Sequence, residues 1–195
     1  CLEKSRELGL SAVKPVIISN AVNEDIFHSK NRAPYSGGRK IKLISAAWSD
    51  NPRKGGPLFK WLDENLDWNK YEYTFVGRVK EKFKNINHIP PQDSENLATL
   101  LRAHDVFISG SQHEPCSNAL LEALSCGLPA VFRNDGGNPE LVGDGGLPFN
   151  DEGDILEKLE TLVNEYDKFR LAVKPNRITD IVAQYIELIK DVVGK

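Results

Sequence analysis

The chain has 195 residues and a formal net charge of −3, with 40% hydrophobic and 27% charged residues. This length fits one large domain with a hydrophobic core, and the composition argues against a disordered, collagen-like or membrane protein. The slight acidity argues against a global basic field that binds nucleic acid regardless of sequence, so no nucleic-acid partner is expected.

The chain contains three cysteines, Cys1, Cys116 and Cys126, and no methionine. An odd number of cysteines without CxxC spacing predicts neither a disulfide framework nor a zinc site, and it indicates a reducing, cytoplasmic compartment. No run of about 18 apolar residues is present, so no transmembrane helix or signal peptide is predicted. Because translation begins with methionine, we interpret the chain as a fragment and expect a preceding domain.

The N-terminal part has the pattern of a segment between domains. Residues 13–22 are short and rich in β-branched side chains, between Pro15 and Asn20, and they predict a strand. The polar residues 23–40 follow as a loop. We therefore expect residues 1–38 to form an interdomain linker that contains the first strand.

The rest of the chain alternates between strand and helix patterns. Strands are predicted at 41–48, 71–79, 85–90, 105–111 and 129–135 and near 146–150, and helices within 51–66 and at 94–104, 117–127, 154–166 and 178–193. Strands separated by helices pair in parallel through right-handed crossovers. The expected fold is therefore a doubly wound α/β sheet, with a Rossmann-like domain over 39–174 and a C-terminal helix over 175–195.

Several residues predict where helices begin and end. Pro57 is placed near the first position of its helix, and Ser94 is expected to cap the helix at 94–104. Asp154, with Glu157 three residues later, resembles a capping box. Gly127 is expected to end the helix that precedes it.

In an open α/β sheet, ligands bind beyond the carboxyl ends of the strands, so the loops at those ends are the informative ones. Familiar nucleotide and catalytic motifs are missing from the sequence: there is no GxGxxG, GxxxxGK[ST], HExxH or GxSxG. These absences weaken a dehydrogenase or P-loop NTPase interpretation.

One candidate loop places Arg53 and Lys54 before Gly55 and Gly56, at the start of a helix. Free N–H groups and the positive end of the helix dipole favour an anion there, and phosphate fits. A solvated pair of cations on a surface turn is the alternative, and this stretch alone leaves both open.

A second candidate is the stretch from Glu114 to Glu122, where Ser117 is placed to cap a helix. Glu122 lies about 7.5 Å along the helix axis from that cap, and Glu114 lies on the other side of it. A diphosphate at the helix N-terminus would have one carboxylate towards each substituent. Whether Glu122 is functional or an ordinary surface carboxylate stays open at this point. His104 and His113 are expected to be structural.

Residues 111–142, SQHEPCSNALLEALSCGLPAVFRNDGGNPELV, closely resemble the E-x7-E signature of retaining glycosyltransferases of the family-four type. NPRKGG resembles the lysine loop of that family, and KPVIISNAVNEDIF resembles its interdomain strand. The resemblance implies a GT-B fold, of which this chain is the C-terminal half that binds a nucleotide-sugar donor. The missing N-terminal half would carry most of the acceptor site and any peripheral membrane association.

The resemblance also assigns roles to single residues. Glu114 would contact the hydroxyl groups of the donor sugar and face the reacting centre, Glu122 would bind the ribose, and Lys54 would bind the diphosphate. Around the diphosphate and the base, the remaining donor-binding positions are Arg53, Gln92, Cys116, Ser117 and Asn118. No metal or cofactor is implied besides the donor substrate.

This sequence departs from the family pattern at two places. Many members carry an arginine five or six residues before the lysine, whereas Ser49 and Trp48 stand there; Arg53 is a candidate for the second positive charge. Pro115 replaces a common glycine and removes one N–H donor.

The implied activity is sugar transfer with retention to an unidentified acceptor, in the synthesis of a cell-surface polysaccharide or another glycan. The fragment alone is expected to be inactive. Two alternatives stay open from the sequence: an epimerase of the same fold that acts on nucleotide sugars, and a non-catalytic nucleotide-binding or interaction module.

Overall fold

The computed structural model describes residues 2–11 and 15–193. Its strands are Ile41–Ala47 (β1), Tyr71–Gly77 (β2), Asn87–Ile89 (β3), Val106–Ser109 (β4), Ala130–Arg133 (β5) and Gly146–Phe149 (β6). Its α-helices are Leu2–Glu7 (α1), Gly56–Asn65 (α2), Ser94–Arg102 (α3), Asn118–Ser125 (α4), Asn138–Val142 (α5), Ile155–Asn164 (α6), Tyr166–Ala172 (α7) and Ile178–Val193 (α8), and short 3-10 helices cover Pro52–Lys54 and Gly143–Gly145.

The six strands form one parallel sheet in the order β3-β2-β1-β4-β5-β6. The chain builds outward from β1 to β3 and then returns to the other side of β1 with β4. The strand order therefore reverses between β1 and β4, which creates a crevice at the carboxyl ends of these two strands. The predicted doubly wound α/β fold is confirmed.

Both faces of the sheet are buried, as expected for parallel strands connected by helices. Phe75 and Ile108 point to the face covered by α2, α6 and α7, whereas their neighbours Val76 and Phe107 point to the face covered by α3 and α4. Val22 and Phe27 of the N-terminal segment also pack on the second face. The apolar side chains of β2 and β4 thus fix the sheet between two helical layers.

Asp63 near the end of α2 is fully buried and organises the connection between β2 and β3. Its carboxylate accepts hydrogen bonds from the backbone N–H groups of Lys84, Asn85 and Ile86, each at 2.8 Å. Burial by itself raises the pKa of Asp63, but these three donors, with Lys60 nearby, outweigh it and hold the pKa below its ordinary value.

The strand predicted at 13–22 is wrong for the residues that the structure describes. Residues 15–22 form no strand, and residues 12–14 lie outside the described part of the chain. Pro15 has no N–H to donate, and Val16 and Ile17 remain 47% and 42% exposed. A strand needs a partner, and the described sheet offers none to this segment. The domain boundaries at 38 and 174 stay a prediction.

Two predicted helix caps are also wrong. Asp93, not Ser94, caps α3, because its carboxylate accepts the N–H of Asn96 at 2.8 Å. Asp154 precedes α6 but makes no capping hydrogen bond; its carboxylate accepts the N–H of Asn150 at 3.1 Å instead. Pro57 near the start of α2, Ser117 at the cap of α4 and the left-handed Gly127 after α4 are confirmed.

The predicted C-terminal helix is confirmed as α8, but its apolar side remains open to solvent. Ile178, Val182, Tyr185 and Ile189 recur at helical spacing and are 47%, 49%, 50% and 58% exposed. Large exposed apolar patches of this kind mark surfaces that another protein segment covers.

Asp63→Asn should lower the free energy of unfolding by about 2 kcal/mol, because a neutral amide with one acceptor oxygen cannot satisfy three buried N–H donors. Urea unfolding with an unchanged m-value measures the loss. Glu64→Gln on the same helix is the matched control, since the side chain of Glu64 is 52% exposed. Equal stabilities of the two variants would contradict the role given to Asp63.

Candidate functional site

Two loops meet at the crevice between β1 and β4. A Cβ atom added to Gly55 would lie 2.8 Å from the Cα of Gly110, so the two backbones touch where only glycine fits. The N–H of Gln112 donates to the carbonyl oxygen of Arg53 at 2.8 Å and joins the loops. The loop before α2 and the turn between β4 and α4 therefore form one continuous surface.

Lys54 and Glu114 form an ion pair on this surface, in which the ammonium group donates to the carboxylate. The two side chains are 35% and 20% exposed, so the pair is partly shielded from water. An ammonium group has three N–H donors, and one bond to Glu114 leaves donors for another anion. Two candidate residues 60 positions apart in the sequence thus lie side by side.

Two further cations lie at the carboxyl edge of the sheet, and the donor-binding role of Arg53 stays a prediction. Arg53 is exposed, and the described residues supply no ion pair for its side chain. Arg78, which sequence reasoning missed, lies over the ring of Trp48 at 5.0 Å from the ring centroid and donates to the Trp48 carbonyl oxygen at 2.9 Å. Arg78 and Lys54 line one small cavity. The signal for Arg78 was its position directly after β2, at the carboxyl edge of the sheet.

The N-terminus of α4 opens towards the same crevice. The hydroxyl of Ser117 accepts the N–H of Leu120 at 3.4 Å and caps the helix. Cys116 is half-buried beside the cap, and the exposed Asn118 is held through its side-chain oxygen by Asn20, at 3.1 Å. The first N–H groups of a helix lack intrahelical acceptors and carry the positive end of the dipole, so this end favours an anion.

Glu122 lies in the second turn of α4, on the wall of a cavity of about 570 Å³. It is half-buried, and no ion pair to it is found in residues 2–11 and 15–193. Burial raises the pKa of Glu122 to about 7. These properties differ from those of an exposed or salt-bridged surface carboxylate, which was the alternative.

Gln92 lies on the wall of the same cavity. Its amide donates to the carbonyl oxygens of Pro90 and Pro91, at 2.9 and 3.4 Å, which holds the loop after β3 in a tight turn. Trp48 and Asn118 also line this cavity. The fold therefore brings Gln92 and Glu122 to the same cavity, although they are far apart in the sequence.

The two histidines of the sequence analysis have different surroundings. His104 is buried and makes hydrogen-bond contacts with the carbonyl oxygen of Leu100 at 2.6 Å and the hydroxyl of Thr74 at 3.0 Å, and burial lowers its pKa. His104 is structural, as predicted. His113 is exposed and lies directly before Glu114, where its backbone N–H donates to Asp135 at 3.0 Å.

The residues that the structure describes form neither a metal-binding cluster nor a membrane-spanning helix. Among them, no three His, Cys, Asp or Glu side chains gather into a group suited to a metal ion. None of the helices formed by these residues has the length and apolar character needed to cross a bilayer.

Residues 69–180, more than half of the chain, match the family model described as glycosyl transferases group 1. The chain belongs to this family. The matched region contains β2 to α7 and with them Gln92, Glu114 and Glu122. Lys54 lies outside the matched residues, and only the fold brings it to this region.

Three curated relatives match part of this group 1 domain. Spore coat protein SA of Bacillus subtilis (strain 168) is 34% identical over 89 residues, which are 44% of this chain and 23% of that protein. O-antigen chain mannosyltransferase B of Escherichia coli is 34% identical over 87 residues, 45% of this chain and 21% of that protein. D-inositol 3-phosphate glycosyltransferase of Mycobacterium tuberculosis (strain F11) is 40% identical over 60 residues, which are 31% of this chain and 12% of that protein. Each match spans less than a quarter of the relative.

Solved structures share the fold of the group 1 domain. Sucrose-phosphate synthase from Thermosynechococcus elongatus aligns with a TM-score of 0.73 at 16% identity, covering 99% of this chain and 56% of that one. A glycosyltransferase from Rickettsia africae ESF-5 aligns with a TM-score of 0.72 at 15% identity, covering 91% of this chain and 57% of that one. The C-terminal domain of a group 1 family glycosyl transferase from Francisella tularensis aligns with a TM-score of 0.59 at 18% identity, covering 84% of this chain and 97% of that one. The predicted C-terminal, Rossmann-like domain of a GT-B glycosyltransferase is confirmed.

Glu122→Gln should increase stability above pH 7 and leave it unchanged in acid. The pKa of Glu122 is raised from 4.5 to about 7 in the folded state, so the folded chain loses stability as pH rises through this interval. Glutamine mimics the neutral carboxyl group. We expect a gain on the order of 2 kcal/mol at pH 8 and none at pH 4, measured by urea unfolding.

Glu157→Gln provides the control for this experiment, because the side chain of Glu157 is 74% exposed. It should give the same small difference from the parent at both pH values. A Glu122→Gln variant that behaves in the same way as this control would contradict the assigned pKa.

Proposed function

We propose that this group 1 domain binds a nucleotide-diphosphate sugar and presents it for transfer with retention of configuration, as the family-four resemblance implies. The observation that carries the proposal is the Lys54–Glu114 ion pair beside the open N-terminus of α4. A cation, a carboxylate and free N–H donors together suit the diphosphate and the sugar of such a donor.

The cavity lined by Trp48, Asn118 and Glu122, at the start of α4, supports a place for the nucleoside. Its volume of about 570 Å³ lies in the range of small-molecule sites. In the proposal, Gln92 lies near the base and Glu122 accepts hydrogen bonds from the ribose hydroxyls. The diphosphate then lies at the start of α4, against Cys116, Ser117 and Asn118, and the sugar lies towards Glu114.

The proposed chemistry is departure of the diphosphate from an oxocarbenium-like transition state. Negative charge grows on the leaving group, and the Lys54 ammonium and the α4 dipole are already in place to stabilise it. Arg78, held beside Trp48 at the same edge of the sheet, is a candidate for the second cation alongside Arg53. With these charges the proposal uses no metal ion or further cofactor.

The acceptor site is proposed to lie in a second, N-terminal domain. The solved chains of sucrose-phosphate synthase and of the Rickettsia africae glycosyltransferase extend well beyond the aligned region, which covers 56% and 57% of them. The exposed apolar side of α8 is a surface that such a domain would cover. Peripheral membrane contact, if any, belongs to that domain, and we propose a cytoplasmic location for the enzyme.

Two of the relatives carry names from the cell surface, a spore coat protein and an O-antigen mannosyltransferase. These names support a role in the synthesis of a cell-surface polysaccharide or another glycan. The sugar, the base and the acceptor depend on loop shapes and on the second domain.

Titration of UDP-, GDP- and ADP-glucose, each beside its bare nucleotide, tests donor binding by calorimetry. Lys54→Ala should weaken nucleotide diphosphate and sugar nucleotide alike, by about tenfold or more, because each loses a charge-assisted hydrogen bond. Glu114→Ala should weaken only the sugar nucleotide. Lys158→Ala, a surface change on α6, is the control and should bind as the parent does.

Absence of binding by the parent would favour the alternative of a non-catalytic interaction module. Epimerisation of the donor without an acceptor, tested with the full-length protein, would favour the epimerase alternative. Neither outcome is expected from the proposed site.

Residues 1–195 alone should show negligible transferase activity, although they bind the donor. Much of the rate of a two-substrate reaction comes from holding both substrates together, and the proposed acceptor site lies elsewhere. Release of nucleotide diphosphate in the presence of candidate acceptors measures this. Robust turnover by this chain would contradict the two-domain proposal.

A further inference from the structure

The residue before Glu114 has an unusual backbone. His113 has a φ of 54°, in the left-handed region that side chains other than glycine rarely adopt. Its own side chain is 68% exposed, so packing of the imidazole does not explain this conformation. Another contact must therefore stabilise this conformation. The backbone at His113 also sets the direction in which the next residue, Glu114, projects.

The carboxylate of Asp135 is placed to do this. It accepts the backbone N–H of His113 at 3.0 Å, and the same oxygen lies 3.3 Å from the Nδ1 atom of the His113 ring. Asp135 lies in the loop after β5, 22 residues further along the chain. The carboxylate therefore accepts a hydrogen bond from the main chain of His113 and lies against its ring.

The same loop also binds the chain after His113. The N–H of Gly137 donates to the carbonyl oxygen of Glu114 at 2.9 Å. The buried Asn138 donates to the carbonyl oxygens of Ser111 and Arg133, at 3.2 and 3.1 Å, and ties the loop to the ends of β4 and β5. Two hydrogen bonds thus hold the chain on either side of the Glu114 Cα atom, one at the His113 N–H and one at the Glu114 carbonyl oxygen. Only the first depends on a side chain, that of Asp135.

We propose that Asp135 is a positioning residue, which fixes the His113 turn and thereby directs the Glu114 carboxylate towards the sugar of the donor. Asp135 acts through Glu114 and does not itself touch the donor. The inference rests on the proposed function, in which Glu114 contacts the sugar hydroxyls. It predicts that loss of the Asp135 carboxylate affects recognition of the sugar and spares recognition of the nucleotide.

The test compares the affinity for a nucleotide diphosphate with that for its glucose ester, using whichever of the UDP, GDP and ADP pairs the parent binds. Asp135→Ala should reduce the preference for the sugar form by about tenfold and leave the bare nucleotide unchanged. Asp135→Asn retains an acceptor oxygen for the His113 N–H and should restore most of the preference. Asp144→Ala removes an exposed carboxylate before β6, at the opposite edge of the sheet, and is the matched control.

The double variant with Glu114→Ala separates positioning from direct contact. If Asp135 acts through Glu114, Asp135→Ala should have no further effect once Glu114 is alanine. An effect of Asp135→Ala that persists in this background would show direct contact with the sugar and would overturn the proposal. An equal loss for bare nucleotide and sugar nucleotide would show a general structural role and would overturn it too.

The free protein gives a readout that does not depend on the donor. The amide proton of His113 should move upfield in the NMR spectrum of Asp135→Ala, because it loses a charge-assisted hydrogen bond. An unchanged resonance would overturn the positioning role. If the parent binds no sugar nucleotide but the shift is present, the result would refute the proposed function. It would still show that Asp135 holds the His113 turn.

Discussion

The turn between β4 and α4 lies between two other backbone segments, which approach it so closely that no side-chain atom fits at either contact. On one side Gly55 and Gly110 meet, with room for no Cβ atom on either. On the other side a Cβ atom on Gly136 would fall far inside contact distance of the Glu114 carbonyl oxygen. Glycines in two other loops therefore let those backbones approach the segment that carries Glu114, and this close approach limits where its main chain can lie.

This constraint accounts for the electrostatics of the site. The contact between Gly55 and Gly110 brings Lys54 to Glu114, so the first carboxylate is neutralised by an ion pair. Glu122 lies past the cap of the same helix, half-buried and with no ion pair among the described residues, and burial raises its pKa to about 7. Two carboxylates eight residues apart thus have different surroundings, one in an ion pair and one half-buried in a cavity wall, and the proposed function assigns them to different parts of one donor.

Local sequence signals predicted the elements better than their ends. The strands β1, β2, β4 and β5 lie where runs of β-branched and aromatic side chains place them, because a parallel strand must be apolar on both faces. Asp93 and Ser94 are both good capping residues, and nothing local decides between neighbours. Residues 15–22 have a strand composition without a strand, because composition cannot supply a partner.

The sequence by itself determined the alternation of strands and helices, the Ser117 cap and the placement of Glu114 and Glu122 on either side of that cap, because these depend on neighbours within a few residues. Only the tertiary structure decided the partners of these groups. Lys54 reaches Glu114 across 60 residues, Arg78 reaches Trp48 across 30 and Asp135 reaches His113 across 22. Such contacts depend on which strands become neighbours and on how closely their loops approach, and no local pattern encodes either.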